Sequence, residues 1–68
     1  MKREAIPTDD DIKLLQLLAA GETPPSMAES FETSRHAMAM RLRRLRDDFG
    51  FSTNVQMVVE ALRRNWIS

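Results

Sequence analysis

Apolar residues recur along the chain at helical spacing in four blocks, and no strand is predicted. Pro7, Gly21, Pro24, Pro25 and Gly50 set the outer boundaries of these blocks, and Thr33-Ser34 splits the middle one. The first block predicts a helix from about Asp9 to Ala20. Thr8 is placed to cap it, with Asp11 three residues on at capping-box spacing. Asp9, Asp10 and Asp11 suit the positive end of the helix dipole. Leu14, Leu15, Leu17 and Leu18 cover a wide arc, so this helix is expected to be wrapped on several sides, and Gly21 is a natural stop. A short second helix is predicted from about Pro24 to Phe31, capped by Thr23, with Pro24 at the first helical position. Met27, Ala28 and Phe31 form its expected inner face.

Ser34 predicts the cap of a third helix reaching about Phe49. Met38, Leu42, Leu45 and Phe49 then make a buried stripe. At about 100° per residue, His36, Met40, Arg43, Arg44 and Asp47 fall on the opposite side, with Arg41 and Arg46 flanking the stripe. A fourth helix is predicted from about Asn54 to Asn65, with Ser52 or Thr53 as cap. Its expected core stripe is Val55, Val58, Val59 and Leu62, extended to Trp66 as a core or capping residue.

Charge sharpens this picture. The net charge is zero over 68 residues. Residues 1–34 carry seven acids against three bases (net −4), and residues 35–68 carry seven arginines against three acids (net +4). Segment 35–46 holds five arginines and no acid. Such a block is either a surface for a polyanion or a solvated helix balanced by acids elsewhere. In the second case Arg43 and Arg44 pair with Asp47 and Asp48 at i,i+4, which is worth only a few tenths of a kcal/mol.

Composition limits the alternatives. There is no cysteine, and the single histidine, His36, cannot form a metal site alone, so neither a metal nor another cofactor is expected. No apolar run approaches the roughly 18 residues of a membrane span. Nor does an apolar stretch follow Met1-Lys2-Arg3, so no signal peptide is expected and the cytoplasm is the expected location. A core of this size is thin. With no nucleophile–base pair, phosphate loop or ligand cluster at useful spacing, the chain is not expected to be an enzyme.

A short helix, a tight turn at Glu32-Thr33 and a longer basic helix are the parts of a helix-turn-helix. Here the sequence resembles the DNA-binding domain of the LuxR/GerE family, without gaps from Thr8 to Ile67. The resemblance is carried by Thr8 to Asp11, by Leu14-Leu15-Gln16-Leu17-Leu18-Ala19-Ala20-Gly21 and by Met27-Ala28-Glu29-Ser30-Phe31. It continues through Ser34, Met38, Leu42 and Phe49-Gly50-Phe51 to the helix from Val58 to Leu62. It implies an all-α, four-helix domain over residues 8–68, behind a tail of residues 1–7. It also implies a transcription regulator that binds double-stranded DNA through the third helix, as a homodimer.

The chain departs from that family at several positions. Glu32 stands where the family usually has glycine, and at positive φ it would cost about 1 kcal/mol or more, so a different turn is expected. Thr33 stands where a buried isoleucine is usual. The recognition run reads Ala37-Met38-Ala39-Met40-Arg41, without the usual hydroxyl at 37 and lysine at 39.

The N-terminal part of a recognition helix reads bases in the major groove. The expected DNA-contacting residues are therefore Arg35, His36, Ala39, Met40 and Arg43, with Arg44 and Arg46 adding charge. Arg43 is suited to fork onto guanine and Met40 to press a thymine methyl. Arg35 either contacts phosphate or pairs with Glu32, and His36 is either a plain exposed polar residue or a phosphate contact. Asp47 and Asp48 repel DNA, so the end of the third helix is expected to leave the groove.

By the same resemblance, the dimer contact on the fourth helix would use Met57, Ala61 and Arg64, which otherwise form an ordinary exposed face. Arg41-Leu42 with Arg44 also looks like the promoter-reading domain of sigma factors, which usually lacks the fourth helix. No receiver or sensing domain is expected before the helices, so regulation would come through abundance, oligomerisation or a partner such as a larger regulator or RNA polymerase. The competing expectation is a protein-binding adaptor or inhibitor that pairs with a larger regulator through the fourth helix.

Overall fold

The computed structural model describes residues 7–68; of the expected tail, residues 1–6 lie outside the described residues. The fold is all-α, with four helices among the described residues: α1 (Asp9–Ala19), α2 (Pro24–Ser30), α3 (Arg35–Phe49) and α4 (Asn54–Arg63).

Each helix begins at a hydroxyl. Thr8, Thr23, Ser34 and Thr53 accept from the backbone N–H three residues on, at 3.2, 3.3, 3.0 and 3.0 Å. Each such cap is worth about 1 kcal/mol. Asp11 and Ser26 return the bond to the Thr8 and Thr23 N–H groups, completing two capping boxes.

Each helix ends in the same way. One residue turns left-handed, and the next donates its N–H five residues back: Glu22 to Leu17, Thr33 to Ala28, Phe51 to Arg46 and Trp66 to Ala61, at 2.8–3.0 Å. This is the Schellman closure, which satisfies carbonyls that a helix end leaves open. The left-handed residues are Gly21, Glu32, Gly50 and Asn65, with φ of 94°, 54°, 79° and 60°. Glycine takes this conformation without steric cost, and asparagine tolerates it. Glu32 does neither, yet it holds the turn between α2 and α3. The different turn expected from its side chain does not occur, because the two backbone bonds from Glu32 to Glu29 and from Thr33 to Ala28 fix the closure.

The core is apolar throughout, with no buried polar or charged side chain among the described residues. Leu14 and Leu15 of α1, Met27 and Ala28 of α2, and the Met38–Leu42–Leu45 stripe of α3 meet in one cluster. Phe49, Leu17, Leu18 and Phe31 pack against it half-buried. Burying each large side chain contributes about 1.5–3 kcal/mol. Phe49 lies 5.0 Å from the Trp66 ring and 6.1 Å from Phe51, so three aromatics close the end of the core beyond Gly50.

The expected face of α4 is reversed. Met57 and Ala61 are fully buried, whereas Val55, Val59 and Leu62 are 74%, 44% and 45% exposed. Val58 is half-buried. The reason lies in the neighbour. α4 packs mainly on α1, where Leu14 and Leu15 are already fully enclosed. The Ala61 methyl permits close approach there, and the unbranched Met57 side chain fills the space left over.

No helix among the described residues is long and apolar enough to cross a membrane.

Candidate nucleic-acid interface

α2, its closed turn and α3 stand as a unit, because α3 packs chiefly on α2. With Met38, Leu42 and Leu45 facing inward, the 100° rotation per residue directs His36, Met40, Arg43 and Asp47 outward. All four are exposed, as are Arg35, Ala37, Ala39 and Arg44 around them. The structure thus brings five of the expected contact residues, His36, Ala39, Met40, Arg43 and Arg44, onto the outward side of α3, while Arg35, exposed in its first turn, lies nearer the edge of the buried stripe and half a turn round from Arg44.

The arginines divide into two groups. Arg41 ties α3 to α1: its guanidinium is 3.5 Å from the Asp10 carboxylate and stacks over the Phe31 ring at 5.6 Å. Lys13 covers the same ring at 5.3 Å, so Phe31 lies between two cations. Arg46 is half-buried and donates from Nη1 to the side-chain oxygen of Asn54, bracing α3 against the first turn of α4. That engagement corrects its expected role, since Arg46 serves an internal junction rather than the outer edge of α3.

Arg43, Arg44 and Arg35 form the second group. None makes an ion pair among the described residues; the expected pairing of Arg43 and Arg44 with Asp47 and Asp48 does not form, nor does Arg35 pair with Glu32.

On α4, the expected dimer residues are displaced from the surface. Met57 and Ala61 are core. Arg64 remains at the surface but is engaged by its own molecule: it lies 3.6 Å from Glu60 and stacks over Phe51 and Trp66 at 5.4 and 5.2 Å. Arg63 shares Glu60 at 3.6 Å. The residues available for association are the four first read as core, Val55, Val58, Val59 and Leu62. The lower part of that face, Val55, Val58 and Val59, is continuous with Leu18 and Ala19 of α1 in a shallow apolar trough. The signal for this face was the size and number of its apolar residues; what sequence reasoning missed was which of two apolar faces turns inward.

Among the described residues no three His, Cys, Asp or Glu side chains gather to hold a metal. No protein-family model, curated protein or solved structure matches the chain.

Proposed function

We propose that the protein is a small cytoplasmic transcription regulator that binds duplex DNA through the outer side of α3, as a homodimer joined along Val55, Val58, Val59 and Leu62. The observation that carries this reading is the set Arg35, Arg43 and Arg44. All three are exposed on α3, Arg43 and Arg44 flanking its outward ridge and Arg35 in its first turn, and none makes an ion pair with a carboxylate among the described residues. Guanidinium groups form bidentate, charge-assisted bonds to phosphate oxygens and to guanine. The α2–turn–α3 unit has the proportions of a helix-turn-helix, in which the second helix enters the major groove. The resemblance to LuxR/GerE domains supports the same reading, and Glu32 keeping a left-handed turn removes one departure from it.

The test is selection of bound duplexes from a random pool with the full chain, followed by titration of the selected duplex. Arg43→Ala is expected to weaken binding about tenfold or more and to relax preference at one base pair. Unchanged affinity and preference would remove Arg43 from the interface.

The exposed valine face favours a second reading, in which α4 pairs with a larger regulator and the protein acts as an adaptor. A chain that sediments as a monomer and retains no duplex from the pool would support the adaptor and exclude the regulator.

A further inference from the structure

We propose that Met40 makes the protein a reader of the pyrimidine C5-methyl group in the major groove, which in unmodified DNA means thymine; this rests on the DNA-binding reading above. Among the described residues the other methionines are core, with Met27, Met38 and Met57 all at 0–1% exposure. Met40 is 49% exposed and occupies the middle of the outward ridge of α3, directly opposite the buried stripe. Ala37 lies one turn before it, and Arg43 and Arg44 lie one turn after. An exposed apolar side chain one turn from Arg43 and Arg44 does not serve solubility, and it lies on a different helix from the apolar association face of α4.

Its chemistry narrows what it can recognise. A thioether is a weak acceptor with no donor, so it does not read a base edge by paired hydrogen bonds as arginine, asparagine or glutamine do. The apolar feature that a base presents in the major groove is the methyl at C5 of thymine. Because the side chain is unbranched and polarisable, it can settle against a methyl without exact register. Small neighbours at 37 and 39 let the helix approach the groove floor. Arg43 follows by three residues, about 4.5 Å along the helix, which is close to one base-pair step of 3.4 Å. The two side chains therefore reach neighbouring base pairs, and the half-site contains a thymine within about two steps of a guanine.

The test uses the full-length chain and the duplex enriched from a random pool, remade with deoxyuridine in place of each thymidine in turn. Loss of the critical methyl is expected to weaken binding about three- to fivefold, the equivalent of one buried methyl group. Met40→Ala is expected to bind the thymine and uracil duplexes equally. Met40→Gln is expected to shift the preferred base at that position to adenine. Circular dichroism should show both variants folded, since the residue is exposed. A parallel duplex with 5-methylcytosine for cytosine separates the two sources of the methyl: tighter binding there, with no effect of uracil, would overturn thymine as the target. Equal binding to all duplexes by the wild-type chain would overturn methyl reading while leaving DNA binding in place. Failure to enrich any duplex would overturn the DNA-binding reading itself.

Discussion

Glu32 shows how much one dihedral angle matters in a chain of this size. At φ 54° its Cβ crowds the backbone in a way that glycine avoids. The Schellman bonds hold it there because an unclosed α2 would leave carbonyls without partners and misdirect α3. Glu32→Gly removes the strain at the cost of some unfolded-state entropy, for a net gain of about 1 kcal/mol. A domain this small should then melt about 4–8 °C higher, with the far-UV spectrum unchanged. A lower melting temperature would show that the Glu32 side chain contributes more than its backbone costs. Residue-scale features were largely legible from the sequence. Hydroxyls at 8, 23, 34 and 53 and glycines at 21 and 50 marked helix ends because capping is local chemistry, decided within five residues. That Glu32 would accept a left-handed angle was not legible, since two local preferences conflict there and the tertiary position of α3 decides between them.

Packing choices decide at the scale of the element, and α4 is the example. Its sequence offers two apolar faces: a broad one of Val55, Val58, Val59 and Leu62, and a narrow one of Met57 and Ala61. Periodicity locates both but cannot rank them, because the ranking depends on the shape α1 presents. Size favoured the broad face, and contact with α1 selected the narrow one. The expected dimer residues failed with it, while the location of the association face on α4 survives as a proposal with a new membership. Two substitutions separate the faces. Met57→Ala empties a fully enclosed site and should cost about 2–4 kcal/mol, a large share of what so small a core supplies. Val59→Ser acts on an exposed residue and should change monomer stability by less than about 0.5 kcal/mol. In sedimentation it should shift the protein toward monomer. If Val59→Ser lowers stability as much as Met57→Ala, the broad face is not an association surface.

For the molecule as a whole, charge is the deciding quantity, and counting it in the sequence misleads. Seven arginines in the second half suggest up to fourteen phosphate contacts for a dimer, which would give a slope of log K against log salt of roughly −12. Four of the seven are occupied within the fold: Arg41 by Asp10, Arg46 by Asn54, and Arg63 and Arg64 by Glu60. Of the remaining three per protomer, Arg43 is assigned to a base, so Arg35 and Arg44 limit a dimer to about four phosphate contacts and a slope of about −4. The zero net charge does not cancel these contacts. At physiological salt the screening length is about 8 Å, well under the 28 Å extent of the protein, so distant carboxylates are screened from a phosphate beside Arg43. Fluorescence anisotropy between 50 and 200 mM salt should therefore show affinity falling by about 10². A slope near −12 would mean that Arg41, Arg46, Arg63 and Arg64 abandon their partners on binding. A flat isotherm would mean that Arg35, Arg43 and Arg44 never meet a polyanion.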